Sequence, residues 1–366
     1  MRILLLGEYS NVHNTLALGL RELGHEVCVI SNGDFWKDYP RDIDVSRKPG
    51  VWGGIRLMVK LYSLLPKMRG YDVVQLINPI FFELKAERLF FFYNYLRKHN
   101  RRIFLGAFGM DWYWVKTSTY DKPLRYSDFN FGSQVRTDQN AIKEQKDWLG
   151  TTKERLNKYI AEDCDGIITG LYEYQVCYQP IFPHKTQFIP FPIKISTTTN
   201  PLQSTSPLRI FIGISKQRSS YKGTDIMLRA AQAIVARYPD LVELQVVEGV
   251  PFVTYQQMME DSDVILDQLY SYTPAMNALL AMSKGIIVVG GGEPENYEIL
   301  NEQELRPIIN VQPSFVSVFH ELELLVLHPE CIPEQKHQSI EYIRRHHDYL
   351  KVAREYEVFY QNNNKG

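Results

Sequence analysis

Apolar positions along the first half of the chain fall into short solid runs that alternate with amphipathic stretches. Arg2 to Leu6 is a strand-like run, and Gly7-Glu8-Tyr9-Ser10-Asn11 is the loop behind it. A helix begins at Asn14 or Thr15, carries Leu16, Leu20 and Leu23 on one stripe, and is closed by Gly24. Glu26 to Ile30, Val73 to Ile77, Arg102 to Ala107 and Gly166 to Thr169 read as further strands. Helices are predicted over Phe81 to His99 and Thr151 to Cys164. From Trp112 to about Gly150 the pattern breaks into rings set among polar residues, an irregular stretch of the kind that is often functional or mobile.

The second half repeats the alternation. Leu208 to Gly213, Leu244 to Val247 and Val264 to Leu266 read as strands, and Lys222-Gly223 leads into a helix that Thr224 starts and that runs from Asp225 to Tyr238. Thr273 as N-cap and Pro274 at the first helical position predict a helix through Ala278 and Met282 to Gly285. Ile286 to Val289 is another buried strand and empties into Gly290-Gly291-Gly292. Free amides at a helix start beside a glycine turn favour a phosphate. The tail from Glu334 to Tyr360 reads as one long charged helix.

A run rich in serine, threonine and proline separates the halves and sets the expected boundaries. These are an N-terminal α/β domain over 1–193, a linker over 194–207, a second α/β domain over 208–335, and a C-terminal helix over 336–366 that crosses back to the first domain. Two such halves predict a cleft, the usual place for a ligand. At 366 residues the chain has room for both cores, and a net charge of -1 argues against a general nucleic-acid binder. Four scattered cysteines without metal-ligand spacing fit a reduced, cytoplasmic protein. No stretch approaches the roughly 20 apolar residues of a membrane span. Leu89-Phe90-Phe91-Phe92-Tyr93 with Arg97 and Lys98 admits two readings: peripheral contact with the inner face of a membrane, or a buried crossover helix, the default in this architecture.

Candidate chemistry collects at strand ends. Asp111 sits just past one strand and His13 near the end of another, each suited to contact a sugar, to act as base, or merely to cap. Trp112, Tyr113 and Trp114 offer flat faces for an acceptor, or else form a satellite core. Lys216, Arg218 and Lys222 are cations able to stabilise a departing diphosphate, with a solvated basic loop as the plain alternative.

Ala281-Met282-Ser283-Lys284-Gly285 and Gly291-Gly292-Glu293-Pro294-Glu295 resemble phrases in the nucleotide-sugar half of GT-B glycosyltransferases, particularly the family-four group. Leu23-Gly24-His25-Glu26-Val27 is similar to the first βα unit of the same enzymes. The family's usual pair of glutamates is replaced here by Tyr272 and Leu280. The resemblance implies two Rossmann-like α/β/α domains and a donor held by Gly213, Lys216, Arg218, Lys222, Val250, Pro251, Tyr272, Thr273, Ala275, Met276, Asn277 and Glu295. Together with their places at strand ends, it makes Asp111, His13 and Lys222 the expected catalytic residues, and the aromatic faces of Trp112, Tyr113 and Trp114 the expected acceptor site. The expected reaction is retaining transfer from a UDP- or GDP-sugar to a glycan or lipid-linked acceptor, without metal or other cofactor. A nucleotide-sugar epimerase and a catalytically degenerate binding module are the alternatives.

Overall fold

The computed structural model describes residues 1–195, 206–214 and 219–362. Lys216, Arg218 and most of the expected linker lie outside the described residues. The chain divides into two compact units. Unit 1 comprises Met1–Pro123, Lys143–Pro192 and the chain from Tyr349 onward, and unit 2 comprises Leu124–Ile142 and Ile193–Asp348.

In chain order the strands are β1 (Arg2–Leu6), β2 (Glu26–Ser31), β3 (Ile43–Asp44), β4 (Val73–Leu76), β5 (Arg102–Ala107), β6 (Asn130–Phe131), β7 (Gln134–Val135), β8 (Gly166–Thr169) and β9 (Thr186–Phe188). Seven of them form the sheet of unit 1 in the order β3-β2-β1-β4-β5-β8-β9, every pairing parallel. Solid apolar runs such as Ile3 to Leu6 and Ile103 to Leu105 are fully buried, as strands covered by helices on both faces require. β6 and β7 make a small antiparallel hairpin within unit 2.

Unit 2 is built on β10 (Leu208–Ile214), β11 (Val242–Glu248), β12 (Val264–Leu266), β13 (Ile287–Gly290) and β14 (Ile308–Asn310). Their order is β11-β10-β12-β13-β14, again all parallel. Ile210, Ile212, Val264, Leu266 and Val289 pack with Met227, Ala231 and Ile234 of the helix Thr224–Arg237 and with Leu322 of the helix Phe315–Leu327. In both sheets the strand order reverses once, between β1 and β4 and between β10 and β12. Open α/β sheets bind ligands past the strand ends at such reversals.

Several expectations need correction. The tail is two helices, Ile332–Tyr342 and Tyr349–Asn362, joined by a π-type turn at Ile343–His347 and by Asp348, whose ψ of 123° breaks the helical path. The first of them stays in unit 2, where Lys336 pairs with Asp263, so the chain returns to unit 1 at Tyr349 rather than at 336. There the last helix lies against Val12–Glu22 so closely that a Cβ on Gly19 would meet Tyr349 O at 2.6 Å. The stretch after Trp112 is ordered: helices Trp112–Lys116 and Gln139–Trp148 flank the β6–β7 hairpin. Local side-chain acceptors hold it, with Ser127 Oγ taking the amides of Phe129 and Asn130, and Asp138 that of Ala141. Its part Leu124–Ile142 belongs to unit 2, although the expected boundary placed everything before 193 in the first domain. The helix predicted from Phe81 begins at Ala86 and buries Leu89, Phe92, Tyr93 and Leu96, which is the crossover-helix alternative.

Candidate functional site

The most chemically loaded place in unit 2 is the strand-order reversal. Asp267 follows β12 directly, and Asn277 Nδ2 donates to its Oδ1 at 3.2 Å. Desolvation raises the Asp267 carboxyl above its ordinary range, and the nearby positive charge of Lys222 and the Asn277 amide work against that rise. Tyr255 joins them through Asn277, and burial pushes its phenol upward. The same phenol explains Gly213 at the end of β10, where a Cβ would lie 2.5 Å from the Tyr255 ring. Lys222 is fixed by its backbone, its carbonyl accepting the amide of Leu269 at 3.0 Å. The following residue, Gly223, has φ +74° and would drive a Cβ to 2.6 Å from Leu269. Glycine is therefore needed there both for its backbone conformation and for the close approach.

The helix expected to start at Thr273-Pro274 starts later, spanning Met276–Ser283 behind Ala275. Thr273 is instead buried, and its carbonyl accepts from Ser271 Oγ at 3.1 Å. Ala275, at the N-cap position, has no side-chain acceptor to offer the first-turn amides. A helix start whose N-cap residue is alanine, with Lys222 and Asn277 at the same strand ends, suits an anion. Behind it the Gly290-Gly291-Gly292 turn packs tightly on this loop, with Gly291 so close to Ser271 that a Cβ would sit 2.0 Å from its carbonyl oxygen. Val250 and Pro251 follow β11 at the same edge of the sheet, and Pro251 precedes the helix Phe252–Glu260.

Tyr272 and Glu295 are engaged by the segment Leu124–Ile142. Arg125 places one guanidinium nitrogen 2.6 Å from Glu295 and another 2.7 Å from Glu293, with its charge 4.8 Å over the Tyr272 ring. Its backbone amide donates to the Tyr272 hydroxyl at 2.7 Å. Tyr126 and Gln312 also donate to Glu293. Further along, Arg136 sits 4.0 Å over the Tyr270 ring and donates to Tyr221 O at 3.2 Å. Two arginines thus clasp the loop between β12 and the helix. No reading of residue types alone singled out Arg125, Tyr255 or Asp267. Asp267 carried a signal, as a carboxylate immediately after a buried strand, whereas Arg125 lies far away in sequence.

In unit 1, His13 and Asp111 are fully buried and do structural work. His13 Nδ1 lies 2.8 Å from Gly7 O, which can only accept, so this nitrogen carries the proton. Its Nε2 then accepts from Gln75, whose own oxygen accepts from Tyr360 of the last helix. Burial lowers the His13 pKa to about 3, against which the Gly7 bond works weakly. Asp111 caps the helix Trp112–Lys116 by accepting from Trp114 N at 2.8 Å and accepts from Tyr178 OH at 2.8 Å. Burial pushes its carboxyl up to about 7. Tyr113 and Trp114 are buried against Tyr178, Phe182 and Tyr174, which is the satellite-core alternative. Trp112 is half-buried, with the ammonium of Lys158 4.1 Å from its ring centre.

Comparison with known proteins finds likeness in structure only. No protein-family model matches the chain, and no curated protein sequence is a significant match. Sucrose-phosphate synthase from Thermosynechococcus elongatus superposes with a TM-score of 0.62 at 12% identity, over 99% of this chain and 98% of its own. HepE from Anabaena in complex with UDP-glucose gives 0.58 at 13% identity, over 98% of each chain. A protein from Listeria monocytogenes described as a UDP-N-acetylglucosamine 2-epimerase gives 0.55 at 12% identity, over 97% of this chain and 94% of its own. At these identities the likeness is one of fold: both units are Rossmann-like, and the chain has the GT-B fold.

Proposed function

We propose that the chain is a metal-independent glycosyltransferase that takes a sugar from a UDP- or GDP-sugar and hands it to a glycan or lipid-linked acceptor. The observation that carries this reading is the start of Met276–Ser283 behind Ala275 at the strand-order reversal of unit 2, with Lys222, Asn277 and Asp267 at the same strand ends. The first-turn amides and Lys222 take the diphosphate, and the same groups oppose the charge that develops on it as the glycosidic bond breaks. Asp267 orients Asn277 toward the donor, in place of the carboxylate that the family carries where Leu280 stands. HepE, a neighbour in fold, was captured with UDP-glucose, which supports a uridine nucleotide as the first donor to try. Transfer with retention, in the cytoplasm and toward polysaccharide synthesis, completes the reading.

The Listeria protein described as an epimerase shares the fold at a comparable TM-score, so epimerisation is the second reading. A panel of UDP- and GDP-sugars, followed by chromatography of nucleotides and sugars, separates the possibilities. Release of nucleoside diphosphate that rises on adding acceptor supports a transferase. An isomerised sugar identifies an epimerase, and donor binding without product a degenerate module. Neither binding nor release across the panel overturns the donor site.

A further inference from the structure

The helix Gly50–Leu64 in unit 1 departs from the usual surface pattern. It buries Gly53, Leu57, Leu61 and Leu64, so its opposite face ought to be polar. Instead Val51 is 77% exposed, Trp52 76% and Val59 64%, with Ile55 and Tyr62 also open to solvent. Val51, Ile55, Val59 and Tyr62 follow each other at helical spacing and form one outward stripe, and Trp52 stands one position on, in the row that Arg56 and Lys60 continue. Phe91 of the helix Ala86–His99 continues it, its ring 5.3 Å from that of Tyr62. Contiguous exposed apolar surface of this kind marks an interaction site.

Charge identifies the occupant. Between residues 45 and 71 the chain carries Arg47, Lys48, Arg56, Lys60, Lys67 and Arg69, all exposed, and no aspartate or glutamate. This occurs in a chain whose net charge is -1. Asp44 and Asp72 bound this segment, and Glu83 accepts from the Arg47 amide at 2.9 Å. Arg56 and Lys60 each follow a stripe residue by one position and so flank the apolar face about 100° around the helix. A second copy of the chain would bring the same cations together and be repelled. An apolar stripe edged by cations matches an anionic bilayer surface, with the stripe below the headgroups and the cations among them. No helix among the described residues is long and apolar enough to cross a membrane, so contact of this kind is peripheral.

We propose that the outward face of Gly50–Leu64 is a docking surface for an anionic lipid bilayer, with Trp52, Val51 and Val59 inserted and Arg56 and Lys60 at headgroup level. Vesicle binding is read without any sugar donor, so its outcome is independent of the transferase reading. The test is flotation of the full chain with vesicles of phosphatidylglycerol and phosphatidylcholine in equal parts, against vesicles of phosphatidylcholine alone. The wild-type chain should float with the first and not the second, and high salt should weaken it. Trp52→Ser with Val59→Ser should lower partition at least about tenfold, since each removes a side chain that insertion would bury. Arg56→Gln with Lys60→Gln should cost about fivefold per charge. These side chains are exposed, so both variants should keep the wild-type melting temperature and circular dichroism. A wild-type chain that floats with neither vesicle, or variants that float as well as it does, would overturn the proposal. So would concentration-dependent dimerisation abolished by Trp52→Ser in a chain that ignores vesicles.

Discussion

Replacing Lys336 by methionine removes one half of an ion pair that anchors unit 2 beneath its candidate site. Lys336 Nζ donates to Asp263 Oδ1 at 2.7 Å, and the two side chains are 1% and 0% exposed. Asp263 immediately precedes β12, the strand whose far end delivers Asp267. Taking one partner from a buried pair costs about 3–5 kcal/mol, because a charge is left in a place water does not reach. Here two contacts soften the loss. The Arg209 amide donates to Asp263 Oδ2 at 3.0 Å, and the half-exposed Arg209 guanidinium stands 3.5 Å away. The expected penalty is therefore at the lower end, about 3 kcal/mol. A domain of this size loses ~2–4 °C per kcal/mol, so unit 2 should melt ~6–12 °C lower. Asp263→Asn combined with Lys336→Met removes both charges and should recover much of that loss, giving a coupling energy of opposite sign. Scanning calorimetry of the four proteins decides it. A Lys336→Met chain that melts within ~2 °C of wild type would refute the reasoning, as would a double variant no better than the single.

Lys222→Ala should reduce turnover on a confirmed donor by roughly a hundredfold or more, with little change in melting temperature, as steady-state rates and a thermal melt would show. Asn277→Ala should weaken nucleotide binding in calorimetry, whereas Leu280→Glu should leave it equal or tighter; the reverse result would favour the degenerate module. For His13 the folded pKa is lowered to about 3 from an ordinary 6.5, so the unfolded chain takes up the proton first. Its contribution is thus complete above about pH 6.5 and is lost as the pH falls toward 3. Urea unfolding of His13→Gln across that window should show a shallower acid-side slope than wild type, and an unchanged slope would contradict the buried neutral tautomer.

The alternation of solid apolar runs with amphipathic ones was enough to read two parallel α/β halves, because strands buried on both faces leave little room for polar residues. Lys222 and Asn277 were legible at strand and helix ends for the same reason, since that is where open sheets expose polar groups. What the residues hid was partnership. Nothing in the order Arg125-Tyr126 announces two glutamates some 170 positions away. Thr273 looked like a cap because its residue type and the following proline both fit one, but its side chain is buried and the helix waits until Met276. His13 and Asp111 were polar residues where ligands bind in this architecture, and only their neighbours distinguish a cap or a buried tautomer from a catalyst. The outward stripe of Gly50–Leu64 escaped notice because a residue pattern records which positions are apolar and not which of them are covered.

The path of the chain between its units has a consequence for how the protein is made. The backbone leaves unit 1 after Pro123, returns at Lys143, leaves again after Pro192 and comes back at Tyr349. Gln75 and Arg102, on central strands of unit 1, both wait for Tyr360. A chain emerging from the ribosome therefore holds an unfinished first unit throughout synthesis of the second, with the apolar groove meant for Tyr356 and Phe359 open to wrong partners. Closing contacts across so long a loop is slow, so docking of Tyr349–Asn362 should lag behind the rest of unit 1. Chaperone demand during translation, rather than final stability, is where substitutions in that helix should first be felt.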